Sequence, residues 1–335
     1  MWDVIGHDRM LAVLRDSWLA GRLPQSILLT GPRQVGKRTV ALALARVLNC
    51  AAPEGGPCGK CRACRLSDSG EFPDVHLVQL REGRQRIGIA EVQALQSELA
   101  RRPTEGQWRV AVIADAERLS AEAENALLKT LEEPPPHAAI VLTTEDAEAL
   151  LPTTVSRCRR LRLRPVRSAE IEQHLRDRCG LAADQARLLA ALADGRPGWA
   201  IAATASRELL ERRQTALERL WRAVDGGKLA RLAEARGLAE RWSGKAEEVR
   251  EELVVWSSWW RDLLLVKLGL VDRLAHVDLL EEVRRQADRY ARSELELALA
   301  LLAQARADLD QNVNPRLALD VALLRLPGRP QAQPA

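Results

Sequence analysis

Phenylalanine and tyrosine occur once each in the 335 residues, against nine tryptophans. Core volume that other aromatics usually fill falls to tryptophan and to aliphatic side chains. No run of eighteen apolar residues appears, which excludes an ordinary transmembrane helix. The N-terminus, Met1-Trp2-Asp3-Val4-Ile5-Gly6, lacks a basic stretch followed by an apolar one. No secretory signal is expected from it, and a cytoplasmic protein is expected. Net charge is only +4, from 50 basic and 46 acidic residues. That balance supplies no strongly basic field of the kind that binds nucleic acid by itself. Arginines outnumber lysines but spread along the chain, as solvated helix faces do.

What is present is a globular composition, 47% hydrophobic and 29% charged, in a length that suits two or three domains. There are six cysteines. Four of them, Cys50, Cys58, Cys61 and Cys64, fall within fifteen residues, while Cys158 and Cys179 stand apart. In a reducing compartment such a cluster points to metal rather than disulfides. Four thiolates suit Zn²⁺ in a closed, tetrahedral, structural site, and Pro53-Glu54-Gly55-Gly56-Pro57 is loop chemistry that can wrap an ion. Free thiols or a redox pair are the competing reading.

Residues 1 to about 165 alternate strand-like and helix-like stretches. Ser26–Thr30, Arg109–Ala114 and Ala139–Thr143 read as buried strands. Thr39–Leu48 and Ala121–Leu131 read as helices, the second capped by Ser120 and stopped by Pro134-Pro135-Pro136. This alternation implies an α/β fold with a parallel sheet. After Pro165 strand signals vanish. Residues 166–206 read as short helices around Gly195-Arg196-Pro197-Gly198, and 207–327 as long helices rich in Ala, Leu, Glu and Arg. A disordered tail is expected over 328–335. No internal repeat is detected.

Between the first strand and helix lies Gly31-Pro32-Arg33-Gln34-Val35-Gly36-Lys37, the first seven positions of a phosphate-binding loop. Gly31 and Gly36 allow the tight turn whose N–H groups cradle phosphates, and Lys37 supplies the charge. The eighth position, where a Ser or Thr hydroxyl ligates Mg²⁺, is Arg38, and Thr39 comes one place late. A working site also needs an acid at the end of a neighbouring strand. Counting back from Leu119-Ser120 puts Ala114 there and Asp115 at the place of the water-activating Glu. Both magnesium ligands are then compromised. ATP or ADP binding stays open and hydrolysis is not expected. A register shifted by one residue would instead give Asp115 and Glu117 those roles.

Further motifs follow in order: Asn125-Ala126-Leu127-Leu128-Lys129-Thr130-Leu131-Glu132-Glu133-Pro134-Pro135, then Leu142-Thr143-Thr144, then Ser156-Arg157-Cys158. With the Gly-rich loop, the four-cysteine insert and the N-terminal Ile5-Gly6-His7 and Gly21-Arg22-Leu23-Pro24, they make residues 1–165 resemble the bacterial clamp-loader family of AAA+ proteins. Beyond that point only the helical layout agrees. The resemblance implies a RecA-like AAA+ P-loop module (1–165) with a zinc insert (50–64), a small helical lid (166–206) and an all-α collar (207–327) for oligomerisation. It implies a non-catalytic subunit of a DNA polymerase holoenzyme that helps load a sliding clamp onto primer–template DNA. Its partners would be gamma/tau-type motor subunits and a delta-type subunit. Arg157 of the Ser-Arg-Cys motif would reach in trans, as an arginine finger, to ATP on the adjacent motor. Gly198 stands where motor subunits carry a sensor arginine, and Arg196 lies two residues early. These departures favour a stator over an active ATPase of the same family. A zinc-bearing DNA-binding module with a relict loop is the third reading. In the helical region, Trp256, Trp259, Trp260, Leu263 and Leu264 form an apolar face expected to be mostly core.

Overall fold

The computed structural model describes residues 2–53, 56–81, 84–311 and 313–328. They form two compact units, the first running to residue 174 with 195–199 added, the second made of 175–194 and everything from residue 200. Most of the expected tail, residues 329–335, lies outside the described residues, as do Glu54 and Gly55 of the cysteine insert.

In the first unit, in chain order, come α1 (Asp8–Leu19), β1 (Ser26–Thr30), α2 (Lys37–Asn49), α3 (Arg62–Ser69), β2 (Val75–Val78), α4 (Ile89–Leu99), β3 (Arg109–Ile113), α5 (Ala121–Glu132), β4 (Ala138–Thr144), α6 (Pro152–Ser156) and β5 (Arg159–Arg162). The five strands make one parallel sheet in the order β2-β3-β4-β1-β5. Every residue of β1, β3 and β4 is buried, as a parallel strand covered on both faces requires. Alternate side chains divide between two cores. Ile27, Leu29, Val110, Val112 and Val141 pack with α1 and α2, through Leu11, Leu14, Val40 and Leu44. Leu28, Ala111, Ile113, Ile140 and Leu142 pack with α4 and α5, through Val92, Leu95, Leu99, Leu127 and Leu131. Each such aliphatic side chain contributes about 1.5–3 kcal/mol on leaving water. The Ser120 side chain caps α5 by accepting from the Ala123 amide at 3.2 Å. Gln25 donates to the carbonyls of Pro135 and Ala138, at 2.8 Å each, and so fixes the proline-rich turn between α5 and β4.

α7 (Ser168–Cys179) leads out of this unit, and the second contains α8 (Ala183–Leu192), most of α9 (Pro197–Ala205), α10 (Arg207–Asp225), α11 (Gly227–Lys267), α12 (Leu280–Ala287), α13 (Arg292–Asp310) and α14 (Pro315–Arg325). α11 is kinked at Lys245, whose backbone leaves the helical region at φ −136°, ψ 44°. Three tryptophans of α11 stand together here. Trp256, Trp259, Trp260 and Leu263 are buried in the centre of the core, with Leu264 partly buried beside them, so this face is intradomain packing. Trp221 meets Trp259 edge-to-face with centroids 5.2 Å apart, and Trp260 meets Tyr290 at 5.1 Å. The indole N–H of Trp256 donates to the Ala216 carbonyl at 2.8 Å, which satisfies the one polar atom a buried tryptophan brings.

The fully buried carboxylate of Asp262 accepts from the amides of Ala275 and His276 and from His276 Nδ1, between 2.7 and 2.9 Å, and pairs with Arg261. Burial pushes its pKa up, but the His276 and Arg261 interactions prevail and hold it below the usual carboxylate range. Asp262 thereby pins the irregular segment 271–279 to α11. α14 leaves Leu317, Val321 and Leu324 exposed at helical spacing, with exposed Val313 just ahead of them. Among the described residues no helix is long and apolar enough to cross a membrane.

Candidate functional site: a closed phosphate loop, a four-thiol centre and a tethered arginine

The Gly-rich loop joins β1 to α2 as its sequence demands. Gly31 has no room for a side chain, since a Cβ there would lie 2.5 Å from the Leu163 carbonyl oxygen. Gln34 holds a left-handed φ of 56°, an uncommon conformation for a residue with a side chain. The loop's polar groups are satisfied from within the first unit. Lys37 Nζ donates to the carbonyls of Gly31 at 2.7 Å and Pro32 at 2.9 Å. His7 Nε2 lies 3.0 Å from the Val35 carbonyl oxygen. The Gly198 amide donates to the Gln34 carbonyl at 2.9 Å. A Cβ at position 198 would come within 3.0 Å of that oxygen and 3.2 Å of Gln34 Cβ, so only glycine permits this closure without displacement.

Burial lowers the Lys37 pKa, against the pull of Glu145, Glu117 and Asp115. Burial likewise raises that of Glu145, against the attraction of Arg33, whose Nε lies 3.1 Å away, and of Lys37. The loop is thus ringed by three carboxylates as well as two cations. Arg38 and Thr39 are exposed at the start of α2. Ala114 is buried just beyond β3, and Asp115 is exposed in a left-handed turn with its amide bonded to Thr143 Oγ1 at 3.1 Å.

The four cysteines of the insert come together, with all four sulphurs within 4.8 Å of one another. Cys58 and Cys64 Sγ are 4.0 Å apart, as are Cys50 and Cys61. Thiolates about 2.3 Å from a shared tetrahedral ion lie about 3.8 Å apart, so the arrangement fits one metal ion. No disulfide links them. Backbone amides already point at the sulphurs: Lys60 and Cys61 donate to Cys58 Sγ at 3.4 and 3.3 Å, and Cys58 donates to Cys50 Sγ at 3.2 Å. The Lys60 and Cys61 amides lower the Cys58 pKa to about 6, while burial pushes Cys64 up to about 12. Cys50 ends α2, and Cys61, Arg62 and Cys64 open α3, so both sides of the centre hang on helix termini.

Below it, the buried Asp74 accepts from the amides of Thr104, Glu105 and Gly106 between 2.7 and 2.8 Å, while Asn49 Oδ1 accepts from Gln107 at 2.9 Å and Trp108 at 3.0 Å. Arg62 grips Glu105 through Nε at 2.8 Å and NH2 at 3.2 Å, which links the insert to that loop.

Arg157 follows α6 and precedes the edge strand β5. Its Nε donates to Glu132 Oε2 at 3.0 Å and its NH1 to the Thr153 carbonyl at 3.1 Å. Cys158 faces inward against the α4/α5 core, and burial pushes its thiol to about 12, so it anchors the motif and has no reactive thiolate. Arg159 and Arg160 are exposed on β5. Glu132, Glu145 and His7 are the partners that sequence reasoning did not single out, although Glu132 and His7 lie inside quoted motifs.

A Gly-rich loop joining β1 to α2 on a parallel sheet of order 5-1-4-3-2 has the form of a P-loop α/β fold. Residues 6–167 match the family model described as DNA polymerase III, delta subunit. The chain is 29% identical over 326 residues to the DNA polymerase III subunit delta' of Bacillus subtilis, covering 95% of each chain. It is 33% identical over 174 residues to the tau/gamma subunit of Haemophilus influenzae, covering 52% of this chain and 25% of that protein. Among solved structures, a gamma subunit-related protein of Thermotoga maritima is matched at TM-score 0.46 and 20% identity over 93% of this chain and 97% of that one. Over its full length the chain is similar to a DNA polymerase III delta' subunit, and over its N-terminal half to the tau/gamma subunits.

Proposed function

We propose that the protein acts as the delta-prime-like stator of a bacterial clamp loader, in the cytoplasm. It joins gamma/tau-type motors and a delta-type subunit, helps place the sliding clamp on primer–template DNA, and offers Arg157 to the neighbouring motor's ATP. In this reading residues 1–165 are the AAA+ module, 166–206 the lid and 207–327 the collar, and a structural zinc ion sits on Cys50, Cys58, Cys61 and Cys64.

The observation that carries the stator role is the self-closed loop. Lys37 is engaged by Gly31 and Pro32, and Gly198 packs on Gln34, where a motor's sensor arginine would need room. Arg38 and Ala114 add the loss of both magnesium ligands. Steady-state hydrolysis by the isolated chain tests this: turnover at the background of a Lys37→Ala control is expected. Robust turnover that disappears in Lys37→Ala would overturn the stator reading. It would support an active ATPase, a reading that the three carboxylates near Lys37 favour.

The exposed stripe of α14 gives the collar a contact face that its buried tryptophans do not. Leu317, 61% exposed, and Val321, 53% exposed, are expected to be covered by neighbouring collars. A Leu317→Glu/Val321→Glu chain should remain folded yet weaken ring assembly at least tenfold, since two large apolar contacts are each worth about 1.5–3 kcal/mol. Assembly at wild-type concentration by analytical ultracentrifugation would exclude this face.

A further inference from the structure

We infer that Glu132 is a positioning residue for Arg157, holding the guanidinium so that its far edge is free for a phosphate. The inference rests on the arginine-finger role proposed above and adds a second residue to it. A guanidinium has five N–H donors in a rigid fork. Here Nε is taken by Glu132 Oε2 at 3.0 Å and one NH1 donor by the Thr153 carbonyl at 3.1 Å. One NH2 donor lies on the same side as Nε, toward Glu132, while the outer NH1 and NH2 donors form the far edge of the fork, able to make the two parallel hydrogen bonds by which arginine grips a phosphate.

The platform beneath is fixed at several points. The α5 carboxylate of Glu124, buried, accepts from the Leu151 amide at 2.7 Å and so sets the start of α6. Cys158 packs into the core one residue after Arg157. The next residue, Arg159, begins the pairing of β5 with β1. α5 therefore holds the short α6 segment through Glu124 near its entry and Glu132 at its exit. Without Glu132, the backbone would keep its place while the long arginine side chain sampled other rotamers. A carboxylate at Nε leaves a positive group to meet developing phosphate charge, and the exposure of the pair keeps the interaction modest, so Glu132 orients Arg157 without immobilising it.

The test is a double-substitution cycle in the reconstituted loader, reading clamp- and DNA-stimulated ATP hydrolysis alongside ring assembly. Glu132→Gln should lower kcat about two- to fivefold, the range an exposed ion pair supports, with assembly unchanged. Glu132→Asp, which keeps the charge on a shorter stem, should recover part of the loss. In an Arg157→Ala background Glu132→Gln should have no further effect. Wild-type kcat in Glu132→Gln, or an equal loss in the Arg157→Ala background, would overturn the positioning role while leaving the finger standing. Wild-type kcat in Arg157→Ala would remove the finger itself, and with it the basis of this inference.

Discussion

Arg157→Ala in an assembled loader should lower ATP hydrolysis at the adjacent motor subunit by about 10³- to 10⁵-fold, the cost of deleting arginine fingers in other nucleotide hydrolases. That corresponds to about 4–7 kcal/mol of transition-state stabilisation. The same substitution should hardly affect this chain's own stability. Its partner Glu132 is 59% exposed, and such surface pairs are worth about 0–1 kcal/mol. The contrast between a collapsed rate and an unchanged fold distinguishes a finger from an arginine that merely pairs with a surface acid. The planar, permanently charged guanidinium suits the charge that spreads over the γ-phosphate oxygens, and a lysine at 157 should not replace it. Arg159→Ala and Arg160→Ala serve as controls, because both lie exposed on β5 beyond the motif. Normal hydrolysis by a ring containing Arg157→Ala, or an equal loss from either control, would withdraw the assignment.

The central sheet was legible because its middle strands are buried on both faces. Ser26–Thr30 runs over the same residues in sequence and structure, and the expected strands at 109 and 139 differ by a residue or so at their ends. The outer strands gave no such signal. Val75-His76-Leu77-Val78 is four half-buried residues, too short to show a period. Arg159-Arg160-Leu161-Arg162 reads as a charged loop, and only its pairing with β1 makes it a strand, with Leu161 alone turned toward the core. Tertiary pairing decides such edges, and local composition does not.

The candidate site divides in the same way. The cysteine spacing and the Gly-rich loop are local patterns, and the structure brings their residues together. The closure of the loop is not local. Gly198 lies more than 160 positions beyond Gln34, and nothing in Gly195-Arg196-Pro197-Gly198 says that its amide will meet that carbonyl. Glu132 carries a related lesson. Within Leu131-Glu132-Glu133-Pro134 it reads as one more acid at a helix end, and its significance appears only when α6 brings Arg157 alongside.

Replacing any one of Cys50, Cys58, Cys61 or Cys64 by serine should reduce bound zinc from about one per chain to near zero, by metal analysis of protein purified without chelator. The expected loss is large because a closed four-thiolate site binds with an apparent free energy of about 10–16 kcal/mol in small zinc peptides, and among the described residues no other metal-ligating side chain joins the four. The damage should nonetheless stay local. The insert touches the rest of the unit through the ends of α2 and α3 and through the exposed Arg62–Glu105 pair, which is worth less than about 1 kcal/mol. The loop beneath is held independently by Asp74 and Asn49, and the sheet by its two apolar cores. Proteolysis within residues 50–64 should therefore accelerate while the circular dichroism of the sheet and helices persists. Zinc-free wild-type protein would refute the metal assignment. Global unfolding of a Cys61→Ser chain would show instead that the ion holds the whole module together, because the cores would then be insufficient without it.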